Sequence, residues 1–152
     1  MAPKDDTKVV NSFIKYFSKY ITYLEKEMAN DSYNFNEIRI IFELLEKEKV
    51  HAKDIETELD LDKGYTSRIV KRLLDEEVIQ REQSGDDKRL YYLSFTPEGE
   101  KLAKKLYKKY QAIINKDYEH VSKAERQAFA KALEVIQASY EAKINSTTEK
   151  EE

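Results

Sequence analysis

Residues 61–96 read LDKGYTSRIVKRLLDEEVIQREQSGDDKRLYYLSFT, and this stretch decides the fold. Thr66, Ile69, Val70, Leu73 and Leu74 recur at three- and four-residue intervals, the spacing of one face of an amphipathic helix. Asp62 stands where the N-cap of that helix belongs, since a carboxylate accepts hydrogen bonds from the first free amides. Gly64, Ser67, Arg68 and Lys71 fall on the opposite face. No acid interrupts the cations Lys63, Arg68, Lys71 and Arg72 between Asp62 and Asp75. Strands are expected at 79–83 and 89–95. In the second, Tyr91, Leu93 and Phe95 alternate with Tyr92 and Ser94, the period of a half-buried strand. Ser84, Gly85, Asp86 and Asp87 make the turn between them. A basic helix followed by a charged hairpin is the layout of a recognition helix and its β-wing.

Upstream, 51–59 reads as a short helix with Ile55 and Leu59 inward. The brief link to the next helix makes the two a helix-turn-helix. A wider apolar arc (Ile38, Ile41, Phe42, Leu45) marks the helix before it as the most buried, with Asn34 or Asn36 as cap. The first helix, 7–29, has a stripe through Val10, Phe13, Ile14, Phe17, Tyr20, Ile21 and Leu24. Downstream, Thr96 and Pro97 give a hydroxyl N-cap and a proline at the first helical position. That helix carries Leu102, Leu106, Tyr110 and Ile113 to about His120. Ser122 and Glu125 have capping-box spacing and open a last helix with Phe129, Leu133, Ile136 and Tyr140 in line. Asn145 onward reads as a polar, frayed tail. The expected fold is mainly α with a small β-wing: a winged helix-turn-helix in the order α-α-α-α-β-β-α-α. Residues 7–29 and 97–144 would supply dimerisation helices, and 36–96 the DNA-binding region. The apolar stripes of the terminal helices exceed what one small core covers, so a second copy is their expected partner.

The 152 residues fit one domain, and 38% of them are charged. There is no Cys, which excludes disulfides and thiolate chemistry. No apolar run reaches the roughly 18 residues of a membrane span, and the N-terminus lacks the apolar core of a signal peptide, so a cytoplasmic protein is expected. No catalytic constellation, metal-ligand spacing or cofactor loop is present. The only histidines, His51 and His120, read as structural or solvent-facing. The net charge of -3 argues mildly against nucleic acid, but binding depends on where charge sits.

A major groove admits a helix, its phosphates attract cations, and a bidentate Arg or a hydroxyl reads base edges. Lys63, Gly64, Tyr65, Ser67, Arg68, Lys71 and Arg72 are therefore the candidate DNA-binding residues. A plain solvated face is the competing account, outweighed by the position after a helix-turn. Some of Lys101, Lys104, Lys105, Lys108 and Lys109 could meet phosphates outside the groove contacts, but a solvated face explains the run more simply. Tyr16, Tyr20, Tyr23, Tyr33 and Tyr110 are expected near the junction of the first, second and fifth helices. There they would suit a small aromatic ligand, although core and dimer packing explain them more simply.

The residues Leu61-Asp62, Ser67-Arg68, Arg72-Leu73, Asp87-Lys88-Arg89 and Leu93-Ser94-Phe95-Thr96 with Gly99 resemble the multiple-antibiotic-resistance regulator (MarR) family of winged-helix proteins. Phe95 stands where that family's pattern has Leu. The resemblance covers nearly the whole chain. It implies a homodimer, a repressor by expectation, bound to a pseudo-palindromic promoter site and often released by a small molecule. It adds Asp87, Lys88 and Arg89 as wing contacts, with Asp87 holding Arg89 for the minor groove. A winged-helix module that binds protein instead of DNA is the alternative.

Overall fold

In a computed structural model the chain forms α1 (Thr7–Met28), α2 (Phe35–Lys47), α3 (Ala52–Leu59), α4 (Lys63–Asp75), β1 (Ile79–Gln83), β2 (Tyr91–Phe95), α5 (Pro97–Asp117) and α6 (Lys123–Glu151). The structure describes residues 6–83, 85 and 90–151, the side chains of 148–151 excepted. This is the expected winged helix-turn-helix order. The chain divides into two compact units, Met1–Gln111 and Ala112–Glu152.

The first unit is built around α2, which buries Glu37, Ile38, Ile40, Ile41 and Leu44, more than any other helix. Its start is fixed by a capping box: Asn34 Oδ1 accepts from the Glu37 amide (2.9 Å), and Glu37 Oε1 accepts from the Asn34 amide (3.1 Å). Only the C-terminal end of α1 is buried, through Leu24 and Met28, and it packs on α2. Val9, Val10, Phe13, Ile14 and Ile21 stay exposed. The α3–α4 turn passes through Asp60 in the left-handed region (φ 51°). Asp62 then caps α4 by accepting from the Tyr65 amide at 3.1 Å. Thr66, Ile69, Val70 and Leu73 are buried as the spacing predicts, while Leu74 is only half-buried. Thr66 tolerates full burial because its hydroxyl donates to the Asp62 carbonyl (2.9 Å).

The wing strands pair antiparallel, from Ile79 opposite Phe95 to Gln83 opposite Tyr91. The expected first strand is matched at both ends. The second begins at Tyr91, and the expected start at Arg89 lies outside the described residues. Val50 adds a bridge to Leu93, exchanging hydrogen bonds of 3.2 and 2.7 Å.

The end of α4, the wing and the start of α5 meet at one point. Glu77 turns the chain with φ 58°. Thr96 Oγ1 donates to the Glu77 carbonyl (2.6 Å) and accepts from the Gly99 amide (3.0 Å), while the Thr96 amide donates to the Val78 carbonyl (3.2 Å). A Cβ on Gly99 would lie 1.7 Å from that Val78 oxygen. Glycine is required here by close backbone approach.

In the second unit, Ser122 and Glu125 form the expected capping box: the Ser122 amide donates to Glu125 (2.8 Å) and Ser122 Oγ accepts from the Glu125 amide (3.2 Å). α5 ends at Asp117, before the expected His120. α6 does not stop at residue 144 but continues to Glu151. No Gly or Pro breaks it, and the Ser146 and Thr147 hydroxyls both donate back to the Lys143 carbonyl at 3.0 Å. Along α6, Phe129, Leu133, Ile136, Tyr140 and Ile144 are exposed.

The close approach at Gly99 makes a sharp prediction. Gly99→Ala should cost at least the roughly 1–3 kcal/mol of an overpacked core. Gly85→Ala, with nothing within 4 Å of the new Cβ, should change stability by less than about 0.5 kcal/mol. Denaturant melts decide it, and equal midpoints for the two variants would contradict the packing.

Candidate nucleic-acid interface

α4 is held from behind by apolar contacts and from its start by the Asp62 cap, which leaves one face open. Lys63, Gly64, Ser67, Arg68 and Lys71 are all exposed on it. Gly64 sits in the first turn, where a Cβ would press on Asp62 Oδ2 at 3.2 Å. Tyr65 is half-buried at the flank. Its hydroxyl accepts from Asn34 Nδ2 at 3.5 Å, and the Arg68 guanidinium lies 6.0 Å from its ring centroid. Tyr65 is thus tethered to the cap of α2 and braces Arg68. The face can offer cations to phosphates and a guanidinium and hydroxyl to base edges.

Arg72 differs from its neighbours. Its Nη1 donates to Glu37, its Nη2 to the Ser32 carbonyl, and its Nε to Glu76 at 3.1 Å. Its guanidinium also stands 5.2 Å from the centroid of Tyr33. Arg72, expected among the DNA-binding residues, has a partner within the chain for every nitrogen of its fork, while its side chain stays 40% exposed. The sequence counts charges along a helix but does not show which of them an acid on another helix has claimed.

The wing-tip residues Asp87, Lys88 and Arg89 lie outside the described residues. The wing base contributes a cation that the sequence reading missed. Arg81 is exposed on β1, lies 5.8 Å from the centroid of Tyr91, and shares with Lys71 of α4 the wall of an open groove of about 710 Å³. The sequence carries no local signal for it: alternation puts Arg81 on the strand face of the buried Ile79, opposite Leu93, yet its side chain is exposed. The base itself is tied to the segment between α2 and α3. Lys49 pairs with Glu82 at 2.7 Å, and Glu82 also accepts from Ser94 Oγ at 3.3 Å. His51 has the structural role expected: Nδ1 is 2.8 Å from the Tyr91 carbonyl and the ring stacks on Tyr92 at 4.2 Å. The His120 side chain is exposed beside Glu119.

The five candidate ligand tyrosines have three settings. Along α1, Tyr16 stacks on Tyr20 and Tyr20 meets Tyr23 at a 34° tilt, each pair with centroids 5.8 Å apart. Tyr33 is buried, and its hydroxyl donates to Glu76 at 3.2 Å. Burial, then the Glu76 charge, raises its pKa. Tyr110 packs on Phe42 at 5.2 Å and lies 6.4 Å from Tyr107. Of the basic run on α5, Lys104 pairs with Glu100 at 3.0 Å. Among the described residues no group of three or more His, Cys, Asp or Glu is placed to hold a metal, and no helix is long and apolar enough to cross a membrane.

Fold and interface together define a winged helix-turn-helix protein with a basic recognition face. Residues 32–90 match the model of the MarR family. The HTH-type transcriptional regulator PchR of Bacillus subtilis is 27% identical over 127 residues, covering 82% of this chain and 75% of PchR. Among solved structures, the transcriptional regulator BldR from Sulfolobus solfataricus superposes with a TM-score of 0.74 at 13% identity, over 91% of this chain and 99% of BldR. A Staphylococcus aureus MarR in complex with salicylate and kanamycin gives 0.73 at 19%, over 87% and 89%. The helix-turn-helix and first wing strand thus resemble those of the MarR family, and the similarity supports a DNA-binding transcription regulator.

The wing-base ion pair has a pH signature. The Lys49 hydrogen bond holds the Glu82 carboxyl below its ordinary value of 4.5, and Glu82 in turn raises Lys49. A depressed carboxylate adds stability that is present above its unfolded pKa and lost as pH falls through the folded one. A raised lysine loses its share only as pH climbs through its folded pKa. The tie therefore persists across neutral pH and opens in acid. Carboxyl NMR should show Glu82 titrating below the ordinary value and moving up toward it in Lys49→Gln, with the Ser94 hydrogen bond keeping part of the depression; an unchanged midpoint in that variant would contradict the pairing.

Proposed function

We propose that the protein acts as a homodimeric repressor on a pseudo-palindromic operator. The exposed row on α4, capped by Asp62, carries this reading. Lys63 and Lys71 bind phosphate, Ser67 and Arg68 read base edges, Gly64 lets the backbone approach, and Tyr65 braces Arg68. At the wing, Arg89 enters the adjacent minor groove, where negative potential is strongest, Asp87 holds its side chain for that contact, and Lys88 adds a second cation. Residues 36–96 are the DNA-binding region, and the protein works in the cytoplasm.

The homodimer reading rests on surface that a lone chain leaves in water. The exposed apolar residues of α1 (7–29) and of the 97–144 segment are of the size and kind that partner subunits cover. Leu106, first grouped with this surface, is instead buried in its own unit. Tyr16, Tyr20 and Tyr23 on α1 offer rings and hydroxyls to a small aromatic effector, and Tyr33, beside Arg72 and Glu76, and Tyr110, beside Phe42, are the further candidates. The complex of the Staphylococcus aureus relative with salicylate supports this class of ligand.

Selection of bound duplexes from random DNA tests the function. It should enrich two inverted half-sites about one helical turn, roughly 10 base pairs, apart; no enrichment contradicts it. On the enriched duplex, Arg68→Ala should lose about 1–3 kcal/mol of discrimination against random sequence. An equal loss on both DNAs would show a phosphate contact instead. Sedimentation should give a dimer at micromolar concentration, and a stable monomer would refute the symmetric operator.

A further inference from the structure

Arg72 lies one turn after Arg68, on the flank of the recognition face. Its guanidinium bonds to three separate parts of the chain: the Ser32 carbonyl between α1 and α2, Glu37 in the first turn of α2, and Glu76 at the end of α4. Glu37 is only 5% exposed, and its second oxygen belongs to the capping box of α2. Tyr33 closes the cluster, with its ring against Arg72 and its hydroxyl on Glu76. A planar fork with fixed donors can serve three acceptors at once; a lysine ammonium at the end of a flexible stem cannot hold the same geometry.

The other inward contacts of α4, through Ile69, Val70 and Leu73, are apolar and do not by themselves set direction. The directional bonds along its C-terminal half to the rest of the first unit come from Arg72, together with the Tyr33–Glu76 bond that closes the same cluster. We propose that Arg72 is a positioning residue: its bonds to Glu37 and Ser32 fix the rotation of α4 and so aim Ser67 and Arg68 at base edges, without touching DNA itself. This rests on the DNA-reading role of α4 given above. Glu37 is the informative partner, because a buried carboxylate has no contact with DNA yet should matter for reading it.

The test uses the duplex most enriched by the wild-type protein from random DNA, and a scrambled duplex, each titrated across salt concentrations. Arg72→Lys keeps a cation for any phosphate but loses the fork. Glu37→Gln keeps the cap acceptor but loses the charge that holds Arg72. Each should weaken binding to the enriched duplex by roughly tenfold. Binding to the scrambled duplex and the salt slope should stay at wild-type values. The double variant should be no worse than the weaker single, since both break one unit. Thermal melts confirm that each variant is folded at the assay temperature. Wild-type selectivity in both folded variants, even with lowered melting temperatures, would reduce the cluster to a stabilising role and overturn the proposal. So would full selectivity in Glu37→Gln alongside a reduced salt slope in Arg72→Gln, which marks direct phosphate contact. If the wild-type protein enriches no sequence, the DNA-reading role fails first and the proposal with it.

Discussion

The backbone of Val78 and the backbone of Gly99 come together with no room for a side chain between them. The turn that joins the recognition helix to the wing passes through this approach. Glu77 accepts a left-handed turn, Thr96 binds both sides of it, and α5 starts where the wing ends. The left-handed backbone at Glu77, a non-glycine residue, costs on the order of 1 kcal/mol, and the Thr96 bonds offset it. The same hydroxyl that caps α5 thereby locks the α4–β1 turn.

With that joint fixed, α4 divides its charges by role. Asp62 supplies an acceptor to the first turn, where a helix favours negative charge. Lys63, Arg68 and Lys71 face outward, and Arg72 is paired with Glu37 and Glu76. The chain carries a net charge of -3, yet it presents a basic row where a groove would meet it. Local placement, not the total, sets the field at the binding face. The wing receives its own support from the other side, through the Lys49–Glu82 pair, the Val50–Leu93 bridge and the His51 stack.

Periodicity made much of this legible. The inward set on α4, the Asp62 cap, the first wing strand, the Thr96–Pro97 helix start and the Ser122 capping box all follow from local rules acting within a few residues. What stayed hidden depends on residues distant in sequence. Arg72 looks like its basic neighbours until Glu37, 35 positions away, is brought beside it. Gly99 shows its purpose only when Val78 lies against it. Arg81 required the folded wing, and the tyrosines required the packing of α1 and α5. The polar composition of residues 145–151 suggested fraying, but with no Gly or Pro to interrupt it the helix runs on to Glu151. The wing tip at 87–89 remains an expectation from the sequence.

The central claim is that the outward row of α4 binds DNA by reading bases on top of neutralising phosphates. Its most direct measurement is the salt dependence of wild-type affinity for an enriched duplex beside a scrambled one. Both should weaken steeply and in parallel as salt rises, because each neutralised phosphate releases a counterion. The gap between them should persist, because base contacts are short-range. A flat dependence, or a gap that vanishes at every salt concentration, would contradict the account.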